Sequence, residues 1–197
     1  MKGKRSTTER IAKVALEILE QEGPQAVTMR RVAKAVGVTP MAIYHHFPSR
    51  EDLLKTITDA EFDKLLNFYH RRQQRDSAKS RDAKLLGLMD GYLDYAFARP
   101  QVFDYVFSNP RPDARRFPED FRARQSPTLT PIADFIAEAM ERGQLKKGDI
   151  WEVALEVWAL AHGYLTLYRG GRFNLSEREF RLLFHRSMKR LFHGLKP

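Results

Sequence analysis

Tyr44, His45 and His46 stand side by side within VGVTPMAIYHHFPSREDLL, the stretch from Val36 to Leu54. Side chains of these types can ligate a metal, move protons or hydrogen-bond an anion. Adjacent helical positions point about 100° apart, so two neighbouring imidazoles cannot easily meet one ion. No metal site is assigned to them. No phosphate-cradling glycine loop, HExxH pair or nucleophile elbow occurs elsewhere in the chain. Asp and Glu fall on helix faces as solvated charge. No catalytic residue and no cofactor are therefore expected, and the chain does not read as an enzyme. The formal net charge of +9 and a pI of about 9.8 point instead to a polyanionic partner. Nucleic acid is the first candidate and an acidic membrane surface the second.

The elements that must position these residues belong to a chain of 197 residues, long enough to bury a real core. Hydrophobic residues make up 43% of it, which argues against global disorder. Cysteine is absent, so disulfides, zinc-finger cages and thiolate nucleophiles are excluded. No run approaches the roughly 18 apolar residues of a membrane span. The basic start, MKGKRSTTER, has no apolar stretch behind it and is not a secretory signal. A cytoplasmic protein without a membrane partner is expected.

Helical periodicity dominates and period-2 strand patterns are missing, which predicts an all-α chain of about nine helices. Ser6-x-x-Glu9 is a capping box ahead of Ile11, Val14, Ala15, Ile18 and Leu19, and Gly23-Pro24 ends that helix. Thr28 caps a short helix over 28–36, stopped by Gly37. Thr39 and Pro40 open another over 39–47, with proline at the first helical position, where its missing N–H costs nothing. Ser49-x-x-Asp52 opens a long fourth helix, and 71–82 reads as its end plus a loop. An aromatic helix over 82–98 is expected to end at Pro100, and the proline-rich stretch 108–120 interrupts the chain. Helices over 128–142, 149–169 and 176–192 complete it.

Two short helices joined by a tight glycine turn form a helix-turn-helix, here over about 28–47. Its second helix would lie in a major groove and present Pro40, Met41, Tyr44, His45 and His46, with Thr39 at its start. Thr28 and Arg30 begin the preceding helix, near the phosphate backbone that it crosses. Arg50 opens the fourth helix within reach of a flanking phosphate. Lys4 and Arg5, on the basic arm, add positive charge for phosphates or the minor groove.

The stretch 11–54 resembles the TetR family of transcriptional regulators. VTMRRVAKAVGV, followed by AIYHHFPSREDLL with its Tyr44-His45-His46-Phe47 signature, carries the resemblance. It implies that Thr28, Arg30, Tyr44, His46 and Arg50 touch DNA, and that Pro40, Met41, Ala42 and His45 occupy the variable base-reading positions. Trp158-Ala-Leu-Ala-His162-Gly163 is similar to a Trp-His-Gly signature in one subgroup of the family's C-terminal domains. The family's C-terminal domains bind a small molecule and dimerise.

The organisation expected is therefore a three-helix DNA-binding domain over 1–48 and a ligand-binding and dimerisation domain over 49–197. Tyr92, Tyr95, Phe103, Phe107, Trp158 and His162 are candidates for lining a ligand pocket, with ordinary core as the competing explanation. The helix over 150–169 is apolar nearly all round and suits burial on two sides. Trp151, Leu155, Leu165, Phe184, Met188 and Leu191 are the candidates for a homodimer interface. The function expected is sequence-specific binding to double-stranded operator DNA, as a repressor released by a small-molecule effector. An architectural DNA-binding protein without an effector is the alternative.

Overall fold

The computed structural model describes residues 6–75, 81–108, 110–111 and 113–197. Among them it contains ten α-helices and no strand. The helices are α1 (Thr7–Glu22), α2 (Met29–Val36), α3 (Pro40–His46), α4 (Arg50–Arg75), α5 (Arg81–Ala98), α6 (Pro100–Phe103), α7 (Glu119–Arg122), α8 (Thr130–Glu141), α9 (Ile150–Arg169) and α10 (Glu177–Gly194). A 3-10 turn covers Pro24–Ala26 and a π-turn covers Asp104–Ser108. None of the described helices is long and apolar enough to cross a membrane.

The helix starts follow local chemistry. Ser6 and Ser176 form full capping boxes with Glu9 and Glu179, each satisfying two otherwise orphaned backbone donors. Thr28, Thr39 and Asp149 accept from the first-turn amides of α2, α3 and α9. The expected helix end ahead of Pro100 is borne out, and the residue has a second role. It also occupies the first turn of α6, where a fixed φ favours a helix start. The interruption at 108–120 likewise gives way to the single turn α7.

The chain forms two compact units, the first comprising Met1–Lys64 and Asp94–Ala114. Its core gathers Ile11, Ala15 and Leu19 of α1, Val32 and Ala33 of α2, Ile43 of α3, and Leu53, Leu54 and Ile57 of α4. Val102 and Val106 join the same cluster, so the unit does not stop at the third helix. Each fully buried valine, leucine or isoleucine side chain here contributes about 1.5–3 kcal/mol. Arg99 ion-pairs with both Glu20 of α1 and the buried Glu61 of α4, tying both helices to the chain between α5 and α6.

The second unit comprises Leu65–Leu93 and Arg115–Pro197. Helix α9 packs against both α8 and α10, and its buried residues are Ala154, Val157, Ala161 and Leu165. Phe180, Phe184, Met188 and Phe192 supply the buried stripe of α10.

Candidate nucleic-acid interface

Helices α2 and α3 meet at Gly37, whose φ of 80° and ψ of 37° place it in the left-handed region. A side chain there would cost roughly 1 kcal/mol in backbone strain. The amides of Gly37 and Val38 both donate to the Ala33 carbonyl at 3.0 Å, closing the turn. Ile43 and Phe47, both buried, dock the inner face of α3 into the core of the first unit.

That docking decides which side chains face outward. Thr39, Pro40, Met41, Tyr44 and His45 are exposed, Met41 at 76% and Tyr44 at 47%. Thr28 and Arg30, at the start of α2, are exposed as well. Arg31 beside them ion-pairs with Glu22 and serves the surface of α1. Lys4 and Arg5 lie outside the described residues.

Two expected contacts take a different place. His46 is half-buried, with its Nδ1 3.0 Å from the Thr8 hydroxyl, so it fastens α3 to the start of α1. Arg50 is engaged within the chain more fully. Its Nε donates to the Val27 carbonyl at 2.7 Å, and its Nη2 donates to the Pro24 carbonyl at 2.5 Å. Its Nη1 lies 3.8 Å from Glu51. All three nitrogens thus face the protein's own groups, and the guanidinium braces the turn ahead of α2. Sequence spacing gives no sign of partners 23 and 26 residues away.

The six pocket candidates fall into two groups of three, one in each unit. Tyr95, Phe103 and Phe107 belong to the first, where the Phe103 and Phe107 rings lie 4.9 Å apart. The Tyr95 hydroxyl donates to Glu61 at 3.3 Å. Tyr92, Trp158 and His162 belong to the second, where they meet directly. The Trp158 indole N–H donates to the Tyr92 hydroxyl at 3.2 Å, and that hydroxyl lies 2.9 Å from His162 Nδ1. The Trp158 and His162 rings stack at 5.4 Å. Burial raises the Tyr92 phenol well above its ordinary pKa, against the smaller lowering effect of the Trp158 bond. The neutral hydroxyl is therefore held in place between the Trp158 indole, from which it accepts, and the His162 ring, with which the direction of the bond follows the imidazole tautomer.

The interface candidates also divide. Leu165, Phe184 and Met188 have no exposed surface even in the single chain. They are corrected to core residues of their own subunit, because a side chain already enclosed has no area to offer a partner. Trp151, Leu155 and Leu191 are half-buried. The apolar side chains that stand out are Leu167 of α9, 48% exposed, and Leu182 of α10, 51% exposed. Sequence reasoning missed both. The signal was available in register: Leu182 lies between the inward positions Phe180 and Phe184.

Residues 7–57 match the family model described as bacterial regulatory proteins, tetR family. Residues 85–191 match the model described as the tetracyclin repressor-like C-terminal domain. The chain is also similar to the nucleoid occlusion factor SlmA of Actinobacillus pleuropneumoniae. The two are 25% identical over 98% of this chain and 94% of that protein. Among solved structures, a protein of unknown function from Rhodococcus sp. RHA1 aligns with a TM-score of 0.83 at 22% identity, covering 100% of this chain and 98% of that one. The transcriptional regulator FadR from Bacillus subtilis, in complex with stearoyl-CoA, aligns with a TM-score of 0.71 at 16% identity, covering 94% and 98%. At these identities the two structures speak for the fold alone.

Proposed function

Because the chain belongs to the TetR family of transcriptional regulators, we propose that it works as a homodimeric repressor that a small-molecule effector releases from its operator. It is a DNA-binding regulator, and the observation that carries the finer reading is the outward face of α3. That face holds Pro40, Met41, Tyr44 and His45 clear of a core closed by Ile43 and Phe47.

In this reading residues 1–48 meet DNA and residues 49–197 hold the effector and the partner subunit. Two copies of α3 enter major grooves about 34–36 Å apart, or a multiple of that, on an inverted repeat. Thr28, Arg30, Thr39 and Tyr44 hydrogen-bond the phosphate backbone, which fixes register. Met41, Pro40 and His45 face the base edges, and Lys4 and Arg5 extend the basic arm. His46 and Arg50 hold the reader in shape rather than touching DNA. The dimer face proposed is at the exposed Leu167 of α9 and Leu182 of α10; the half-buried Trp151, Leu155 and Leu191 lie on other sides of the same two helices. The place of action is the cytoplasm.

The effector site proposed is the neighbourhood of Tyr92, Trp158 and His162, where a fixed hydroxyl and two stacked rings offer one polar anchor among apolar walls. FadR holds stearoyl-CoA in this fold, which supports a small-molecule effector without naming this one. An effector that fits only one arrangement of the second unit shifts the population toward it. Its effect passes to the reader along α4, and by linkage operator binding weakens effector binding by the same factor.

The alternative, an architectural DNA-binding protein without an effector, draws on the likeness to a nucleoid occlusion factor. Selection from a random double-stranded library at ~150 mM salt separates the two, since nonspecific phosphate binding is weak there. The proposed reading expects an enriched inverted repeat; retention of DNA without enrichment would favour the alternative.

A further inference from the structure

On the outward face of α3, Pro40 and Met41 offer bases almost no hydrogen-bonding groups, while Tyr44 and His45 beside them are polar. At about 100° per residue, positions 40, 41, 44 and 45 span an arc of roughly 140°, and Tyr44 and Met41 hold its middle. Ile43 points about 130° away from the middle of that arc, into the core, and Phe47, just past the end of α3, is buried there too. Pro40 has no donor, the Met41 thioether is at most a weak acceptor, and Ala42 has no polar atom. None of them can make the bidentate contacts by which arginine selects guanine or asparagine selects adenine.

Met41 is nonetheless 76% exposed, the most exposed large apolar side chain among the described residues. So exposed a methionine adds little to the folded chain. Its gain comes only when another apolar group covers it. In the major groove one base presents such a group: thymine, through its C5-methyl. An unbranched, polarizable side chain adapts well to a methyl whose position varies with local DNA shape.

We infer that Met41 selects the operator by packing on a thymine C5-methyl in each half-site. Tyr44 and His45 supply the polar contacts on either side. The inference rests on the operator-binding role proposed for α3 and adds the chemical group that is read.

The test uses the full-length protein and the operator recovered by library selection. Each thymine is replaced in turn by deoxyuridine, in both half-sites, which removes the methyl and nothing else. One position per half-site should weaken binding about fourfold, and about fifteenfold when both are replaced, the effect of exposing one buried methyl-sized group at each. With Met41→Ala that thymine-to-uracil ratio should fall to near one, while the thermal melting of the protein stays unchanged because the side chain lies outside the core. Ratios below about twofold at every thymine, or a ratio that Met41→Ala leaves intact, would overturn the inference while leaving operator binding in place. A library that yields no enriched site would instead bring down the operator-binding role itself, and this inference with it.

Discussion

Arg50 Nε lies 2.7 Å from the carbonyl oxygen of Val27. With the bond from Nη2 to the Pro24 carbonyl, this contact turns the guanidinium toward backbone, so bracing this turn is the role proposed for Arg50 ahead of a phosphate contact. Arg50→Ala should cost the first unit about 2 kcal/mol, since it leaves the carbonyls of Val27 and Pro24 without their charged donor. Urea denaturation measures that loss. On DNA the salt slope should stay within about half a unit of the parent's, whereas losing a phosphate contact flattens it by about 0.9. A slope flattened by that amount, with unchanged stability, would restore Arg50 to the interface.

Arg99 makes a second prediction. Glu61 has no exposed side-chain surface, and Arg99 is its ion-pair partner. Burial alone would lower the pKa of Arg99, but Glu20 and Glu61 together raise it, so the guanidinium stays charged. Removing it leaves a buried carboxylate with Lys64 as its remaining cation, 2.6 Å away. Arg99→Ala should destabilise by about 3 kcal/mol. Replacing Glu61 and Arg99 together by leucine should recover most of that, since no buried charge is then left unpaired. Equal losses in the single and double variants would contradict the pairing.

Both predictions turn on contacts that sequence spacing does not reveal. The caps at Ser6, Thr28, Thr39, Asp149 and Ser176 were legible because each depends on residues at most three positions apart. Gly37 was legible because a tight turn between two helices demands a left-handed residue. Arg50 and Glu61 were not, because their partners are brought near only by tertiary packing. The stop at Pro100 was legible, but its second role at the start of α6 was not, because nothing local tells a proline that only ends one helix from one that also begins the next. The role of Phe103 and Phe107 is not legible for a related reason: an apolar stripe has the same pattern whether it lines a cavity or closes a core. The exposed face of α3 was legible in outline, but the half-burial of His46 depended on Thr8, 38 residues earlier.

Alkali should weaken the fold. Burial pushes the phenols of Tyr69, Tyr92 and Tyr95 above their ordinary range. Each folded-state pKa then lies above the unfolded value of about 10. Stability is fully present below that pH and is lost as pH rises from there through the folded values. Denaturation midpoints should stay flat up to pH ~10 and fall beyond it. Tyr92→Phe should shrink the fall and, by leaving the Trp158 indole N–H without its acceptor, cost about 1–3 kcal/mol at neutral pH. A midpoint unchanged at high alkali would contradict the burial of these phenols.

The dimer face is tested by two leucine and phenylalanine changes that ought to diverge. Leu182→Asp, at a position 51% exposed, should leave the helical signal intact and halve the mass seen by sedimentation. Phe184→Ala, at a fully buried position, should instead destabilise the subunit by about 3–5 kcal/mol. A Leu182→Asp protein that still sediments as a dimer would move the interface away from that face of α10.

The central claim is that the face of α3 confers sequence preference and not affinity for phosphate alone. The most direct measurement compares the affinity of the full-length protein for its selected operator and for a scrambled duplex of equal length at ~150 mM salt. The account predicts a preference of about 10³-fold or more, as for other specific regulators. Equal affinities would contradict it and leave an architectural binder in its place.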